Sequence, residues 1–252
     1  MKRIISIPEI EWRYAMAFVL LIVLLLGVSI FMDTNTVLTS EEDELVQSLE
    51  FSEDVALLFK RKTKSTLEPL YPYSSLQRIA QQINSPQESH PLFEDALKNN
   101  PVPRGISAVV DQKHVQSIIE GLRPTLSASG YTVFQSESNF GFVPDAVGII
   151  KTHDQYDILR IHETNGANYD IFTEDIIRVL QEWELRYNLG ILIRGADYDW
   201  FEADIERFPE DMISFARNVE SLCPDVVDQG VGSIGALAQA MERDGILYCW
   251  WD

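Results

Sequence analysis

Four carboxylates follow one predicted strand at short intervals, and they are the first candidates for chemistry in this sequence. They are Asp197, Asp199, Glu202 and Asp204. Carboxylate oxygens are preferred ligands of Ca²⁺ and Mg²⁺, so one hypothesis is a divalent-cation site, although the spacing does not fit an EF-hand loop. The alternative is a solvated acidic face. On that interpretation Asp199, Trp200 and Glu202 are candidates for contact with a partner protein.

A glycine motif, Gly230-Val231-Gly232-Ser233-Ile234-Gly235, has the GxGxxG spacing of dinucleotide-binding folds. Those folds place a pyrophosphate on the N-terminus of the following helix, and the motif must follow a strand of a parallel sheet. Only the short apolar pair Val226-Val227 precedes it here. We therefore interpret the motif as a glycine turn into a helix capped by Ser233, and we predict no cofactor.

The histidines give little support for catalysis. They occur at positions 90, 114, 153 and 162, in no known metal-binding spacing, and the sequence has no GxSxG nucleophile motif. His162 and Glu163 are either an acid–base pair or the polar end of a strand. We expect a binding protein rather than an enzyme. The alternative is a divalent-cation-dependent enzyme that uses the carboxylates between 197 and 204.

The two cysteines, Cys223 and Cys249, are predicted to lie at the end of a helix and in a strand. A disulfide between them is permitted in an oxidising compartment. Two separately buried thiols fit the sequence equally well, because a free cysteine packs as a small apolar side chain. The sequence leaves both interpretations open.

The charge of the chain excludes one class of partner and favours another. The net charge is −19, yet residues 1–32 carry three basic and two acidic residues. The remainder holds 17 basic and 37 acidic residues, a net charge of −20. Such a surface repels phosphates, so we expect no nucleic-acid binding. It is suited instead to a basic protein partner, and toxin neutralisation is the most specific version of that function.

Residues 15–32 form an uncharged apolar run, AMAFVLLIVLLLGVSIFM. As a helix the run would extend about 27 Å, close to the thickness of the hydrocarbon core of a bilayer. It is longer than the apolar region of a cleaved signal peptide and lacks a small-x-small site at its end. We predict one transmembrane helix. Lys2, Arg3 and Arg13 precede it, and no basic residue follows before Lys60, which places residues 1–14 in the cytoplasm.

The remaining pattern divides into a stalk and a domain. Residues 33–100 read as a stalk or linker with short helices beginning near Ser40 and Ser52, punctuated by prolines. Residues 101–252 read as the soluble domain, outside the cytoplasm, at a bacterial inner membrane or cell surface. Strands are predicted at 106–110, 131–134, 146–151, 156–162, 169–171, 190–195 and 246–251. Helices are predicted at 112–127, from 173, from 209 and at 233–243. This alternation favours an α/β or α+β domain with a mixed sheet and helices packed on it.

Four separated segments together resemble a known family. They are Thr164 to Asp170, Asp197 to Trp200, Cys223 to Gly230, and Leu247 to Asp252. In this order they are similar to a bacterial family catalogued only as a domain of unknown function, over roughly residues 145–252. The resemblance implies no activity and no catalytic residues. Members of that family mostly lack an anchor, so the predicted transmembrane helix is a departure from it.

Overall fold

A mixed sheet of seven strands runs through the part of the chain that this computed structural model describes, residues 37–75, 102–139 and 141–252. The strands are β1 (Glu68–Leu70), β2 (Gly105–Val110), β3 (Thr132–Glu137), β4 (Asp145–Ile150), β5 (Ile191–Ala196), β6 (Trp200–Ile205) and β7 (Ile246–Trp250). Their spatial order is β1-β2-β4-β3-β5-β6-β7. Within these residues β3 and β5 pair in parallel and the other neighbours pair antiparallel. The α+β class and the mixed sheet predicted from the sequence are confirmed.

Helices cover both faces of this sheet. They are α1 (Ser40–Ser48), α2 (Glu53–Thr63), α3 (Gln112–Ala128), α4 (Asp157–His162), α5 (Thr173–Tyr187), α6 (Met212–Leu222) and α7 (Ile234–Asp244). A short 3₁₀ turn, Ala167–Tyr169, follows α4, and a π-helical segment, Val226–Val231, follows α6.

Side-chain alternation along the strands produces two separate apolar cores. Neighbouring strand residues point to opposite faces, so Ile149 of β4 joins one core and Ile150 joins the other. The N-terminal core packs α1, α2 and α3 against β2, β3 and β4, and it includes Phe59 and Ile119. The C-terminal core packs α4 to α7 mainly against β5, β6 and β7, and it includes Phe215. The two cores therefore lie on opposite faces of one sheet.

The parallel pair β3 and β5 is the seam between the two halves of the sheet. Gln135 of β3 lies opposite Gly195 of β5. A Cβ atom on Gly195 would come within 2.8 Å of the backbone oxygen of Gln135, closer than any carbon normally approaches. Glycine is required here by close approach of the two backbones, and the adjoining ladders shift register between Ile193 and Gly195 and between Gln135 and Glu137.

Three local predictions differ from the structure. The segment predicted as a strand at 156–162 forms α4. Ile158, Leu159 and Ile161 are all buried, a spacing that fits one face of a helix and not the alternation of a strand. The predicted strand at 169–171 is replaced by the 3₁₀ turn. In α6, the helical spacing of the apolar residues predicts that Ile213 is buried, but it is 46% exposed, because Met212 and Phe215 occupy the inward face.

The stalk prediction is wrong for residues 40–70. Val46 of α1 and Val55 of α2 are buried in the N-terminal core, and β1 pairs with β2 at the edge of the sheet. A capping box begins α1: Thr39 Oγ1 accepts from the N–H of Glu42, and the Glu42 carboxylate accepts from the N–H of Thr39. The apolar faces of these short helices are buried against the sheet, so they belong to the domain.

The predicted transmembrane helix at 15–32 and the remainder of the predicted stalk, from 76 to 100, lie outside the described residues. Among the residues that are described, no helix is both long enough and apolar enough to cross a bilayer.

Candidate functional site

Two of the four predicted metal ligands are held by arginines. Glu202 and Asp204 alternate with core residues of β6, so they lie on the face of the sheet opposite the C-terminal core. Arg194 of β5 reaches both of them, with Nη1 2.8 Å from Glu202 Oε1 and Nη2 2.7 Å from Asp204 Oδ1. Arg123 of α3 adds a second cation 3.6 Å from Asp204. This half of the predicted cluster is an ion-pair network.

The other two carboxylates lie apart from that network. Asp197 follows β5, and its Oδ1 is 3.7 Å from Nδ1 of His162 at the end of α4. Asp199 is exposed in the turn between β5 and β6. In the described ranges no group of three or more His, Cys, Asp or Glu side chains is arranged to hold a metal ion. Glu202 and Asp204 thus face arginines, and a divalent-cation site at Asp197, Asp199, Glu202 and Asp204 stays a prediction.

The proposed partner-binding set is also divided. Trp200 was predicted to be an exposed aromatic, but only 7% of it is accessible, and its ring stacks on Tyr248 with 6.1 Å between centroids. The carboxylate of Glu202 accepts a hydrogen bond from the Arg194 guanidinium. Of the three predicted contact residues, Asp199 alone is an exposed carboxylate outside the arginine network. Strand geometry explains the outcome, because Trp200 and Glu202 point to the same face of β6 while Asp199 stands before the strand.

His162 and Glu163 occupy different environments. The His162 ring is buried against Phe134, edge to face, and burial lowers its pKa to about 4. Its Nε2 has no hydrogen-bond partner among the described residues. Glu163 has left-handed backbone geometry, and its carboxylate accepts from the N–H of Ser74. The neutral, buried imidazole is part of the core packing rather than one half of an exposed acid–base pair.

The GxGxxG motif begins within the last two residues of the π-helical segment instead of after a strand. Ser233 Oγ accepts from the N–H of Ala236 and so caps α7, as the glycine-turn interpretation predicts. Gly232 has a left-handed backbone with φ of 77°, the geometry that favours glycine. The strand–turn–helix context that a dinucleotide site requires is not present at this position.

The segments that resemble the uncharacterised family meet at one place, which we call the signature junction. Cys223, at the end of α6, is joined to Cys249 of β7 by a disulfide with 5.7 Å between Cα atoms. The Trp251 indole N–H donates to the carbonyl of Leu222 over 3.0 Å. The backbone N–H of Asp252 donates to the Asp225 carboxylate over 2.9 Å. The last strand is thus tied to the end of α6 by one covalent bond and two hydrogen bonds.

The other two segments complete the signature junction. The N–H of Trp251 donates to the carbonyl of Asp199, and the N–H of Asn165 donates to the carbonyl of Tyr198. Gly166 lies directly against the Trp251 indole, where a Cβ atom would overlap the ring. The unusual tryptophan and glycine of these segments are therefore explained by packing against each other.

Asp225 is the buried acid at the centre of the signature junction, with only 2% of it exposed. Besides Asp252, its carboxylate accepts from Tyr169 Oη at 2.7 Å and from Gln229 Nε2 at 3.0 Å. Burial alone would raise the pKa of Asp225, but these three donors outweigh it and hold the pKa below its usual value. Asp225 lies in one of the resembling segments, where the sequence indicates a carboxylate available to a cation but neither its burial nor its three donors.

Three exposed carboxylates, Asp199, Asp228 and Asp252, lie at the signature junction with the buried Asp225, and we call these four residues the acidic corner. The hydrogen bond to Asp225, followed by the charges of Asp225, Asp228 and Asp252, raises the pKa of Tyr169. Partial burial, followed by the charge of Asp252, raises the pKa of Asp199. Throughout the described ranges none of the four carboxylates forms an ion pair. The corner is a local concentration of uncompensated negative charge.

Comparison with known proteins gives a match to a family of unknown function. No curated protein and no solved structure matches the chain. Residues 146–252 match the family described as "Domain of unknown function (DUF4253)". The matched range contains the whole C-terminal half of the sheet from β5 to β7, the signature junction and the acidic corner. In this range the chain is therefore similar to an uncharacterised family, DUF4253, and the match assigns it no activity.

Proposed function

We propose that the chain is an acidic protein-binding domain, held at a membrane by residues 15–32, whose partner is a basic protein. The acidic corner is the observation that carries this proposal. It places exposed Asp199, Asp228 and Asp252 around a rigid junction that is fixed by a disulfide and by the buried Asp225. A pre-formed surface of one charge attracts a partner of the opposite charge and speeds its association.

The charge balance of the matched domain supports the proposal. Residues 146–252 contain 8 basic and 21 acidic residues, a net charge of −13. Several of the basic side chains are already paired with carboxylates of the same domain, among them Arg160, Arg178 and Arg194. These arginines are therefore already neutralised by carboxylates of the domain. The unpaired carboxylates of the acidic corner remain available to basic side chains of a partner. Neutralisation of a basic toxin is the most specific form of this function.

Two features support placing the domain outside the cytoplasm. Lys2, Arg3 and Arg13 lie on one side of the apolar run at 15–32, and basic residues flanking a membrane helix favour its cytoplasmic end. The disulfide between Cys223 and Cys249 is typical of an oxidising compartment such as the bacterial periplasm or the cell surface.

The binding function is tested with a fluorescent decalysine peptide and the full-length chain. In the double variant Asp228→Asn/Asp252→Asn we expect the association rate to fall about fivefold, since two charges nearest the peptide are lost. The matched control is Glu210→Gln/Glu242→Gln, which removes the same charge from two exposed positions away from the corner. An equal loss in both double variants would show unspecific attraction to a negative protein and would overturn the acidic corner as the recognition surface.

The topology is tested by a reporter fused after residue 37. We expect activity of a reporter that functions only outside the cytoplasm, and replacing Lys2, Arg3 and Arg13 by Glu should weaken that orientation. A reporter that is active in the cytoplasm would contradict the proposed placement.

A further inference from the structure

A groove lies between α5 and α6, within the domain that carries the acidic corner. Its volume is about 500 Å³, in the range of binding clefts for side chains and small ligands. The floor is formed by Val179 and Trp183 of α5 and by Leu222 of α6. Trp183 and Leu222 are buried members of the C-terminal core, while Val179 is only partly buried. The apolar surface that the groove offers therefore comes mainly from Val179 and Ile171, which are only partly buried.

The rim of the groove is polar and carries excess acid. Asp175 and Glu182 are both within ion-pair distance of Arg178, at 2.8 Å and 3.6 Å. Asp170 adds an exposed carboxylate at one end of the groove. Arg186, also on the rim, lies over the ring of Tyr187, with its guanidinium carbon 5.1 Å from the ring centroid. An apolar floor with a charged rim matches the composition of sites that hold an apolar anchor in protein interfaces.

The groove is continuous with the acidic corner along the chain at two points. Asp170 directly follows Tyr169, whose hydroxyl binds Asp225. Leu222 directly precedes Cys223, and its carbonyl accepts from the Trp251 indole. The residues Asp170 and Leu222 of the groove are therefore direct chain neighbours of residues that form the signature junction.

We propose that this groove receives an aliphatic side chain from the same basic partner segment whose lysines or arginines contact the acidic corner. The inference rests on the proposed function and specifies the recognition sequence: cationic residues interrupted by an apolar one. Charge complementarity selects the segment, because the corner and the free end of the groove are both negative. Burial of the apolar side chain then supplies affinity that electrostatic attraction in water does not provide.

The experiment compares two peptides on the full-length chain by fluorescence anisotropy. One is decalysine, and the other carries two central leucines in place of lysines. We expect the leucine peptide to bind about tenfold more tightly, the gain produced by burying one leucine side chain. Ser221→Trp fills the groove from an exposed rim position and should abolish this gain while leaving decalysine binding unchanged. Ile213→Trp, at an exposed position of α6 that does not line the groove, should leave both affinities unchanged.

Val179→Ser is the second groove variant, because it makes the floor polar without adding bulk. It should reduce the gain as Ser221→Trp does, and circular dichroism verifies that each variant is folded. If the wild-type chain binds both peptides equally, or if the gain survives in both groove variants, the groove inference is overturned. In that case loss of decalysine binding in Asp228→Asn/Asp252→Asn still supports the proposed function. If decalysine binding does not depend on the corner, the proposed function fails first.

Discussion

The two cores of this protein bury charge in different ways. In the N-terminal core, Glu42 and Lys60 form a buried ion pair, with Nζ 2.5 Å from Oε2. In the C-terminal half, Asp225 is buried with neutral donors and stands beside a disulfide. An internal ion pair leaves no net charge, whereas a carboxylate held by neutral donors remains a net negative charge.

The surplus charge follows the same division. Residues 37–75 and 102–139 carry 7 basic and 11 acidic residues, a net charge of −4. Residues 146–252 carry −13. The N-terminal half carries a small excess of acid around its buried Glu42–Lys60 pair, whereas the C-terminal half carries a larger excess that includes the acidic corner. Under the proposed function, recognition belongs to the C-terminal half, which is also the range that matches DUF4253.

Removing Lys60 gives the largest expected effect in the N-terminal core. Lys60→Ala leaves Glu42 buried without its cation, although the N–H groups of Leu67 and Thr39 still contact it. Breaking a buried pair in this way costs about 3–5 kcal/mol. We expect urea denaturation to show a loss of that size, and a loss below about 1 kcal/mol for the exposed control Lys62→Ala. Equal stabilities of the two variants would contradict a structural role for the pair.

Loss of the disulfide is the next largest effect and acts on the C-terminal half. Cys223→Ala/Cys249→Ala should lower the free energy of unfolding by about 2–4 kcal/mol, because the unfolded chain is no longer cross-linked. Adding a reductant to the wild-type chain should give a comparable decrease in melting temperature, and the double variant should not respond to it. A wild-type chain whose melting is the same with and without reductant would show that the bond does not stabilise this half.

Acid should weaken the C-terminal core before the N-terminal core. The folded pKa of His162 is about 4 against an ordinary value of 6.5, so below pH 6.5 the unfolded chain takes up a proton that the folded chain does not. Stability contributed by the neutral ring is full above pH 6.5 and falls by about 3 kcal/mol as the pH drops to 4.

In the N-terminal core, the stability contributed by Glu42 is lost only at a lower pH. Burial acts to raise its pKa, but Lys60 and the N–H groups of Leu67 and Thr39 outweigh burial and hold it below 4.5. Its contribution is present above pH 4.5 and is lost as the pH falls through the lowered pKa. The free energy of unfolding of the wild-type chain should therefore fall between pH 7 and pH 4. This fall should be absent in His162→Leu and present in His153→Leu, where the replaced histidine is exposed. If the free energy of unfolding of His162→Leu still falls over this pH range, another group causes the sensitivity to acid.

The smallest expected effect tests the seam between the halves. Gly195→Ala introduces a Cβ atom against the backbone of Gln135, and relieving that overlap should cost about 1–3 kcal/mol. Gly121→Ala is the matched control, since Gly121 lies in α3 with no atom within 4 Å of its missing Cβ. We expect the control to stabilise the chain by up to about 1 kcal/mol because alanine is the better helix former. A lower melting temperature for Gly195→Ala and a higher one for Gly121→Ala would support close backbone packing at the seam. Equal changes in melting temperature would contradict it.

Much of the fold follows from local pattern. The apolar periodicity of α3 and the β-branched runs of β2 and β4 predict these elements within a few residues, and Ser233 predicts the start of α7. Prediction failed at α4, where a short apolar run fits either a strand or a helix. It also failed at β6, which was not predicted, because Glu202 and Asp204 read as a charge cluster rather than as the outward residues of a strand.

By itself the sequence determined the excess of acid, the apolar run at 15–32, most helices and strands, and the segments that resemble one family. Only the tertiary structure decided which carboxylates are free. Arg194 and the more distant Arg123 neutralise Glu202 and Asp204, while Asp199, Asp228 and Asp252 converge on Asp225 from three separate segments. The physical reason is that charge compensation depends on distance in space, over a few ångströms, and spacing along the chain does not report that distance.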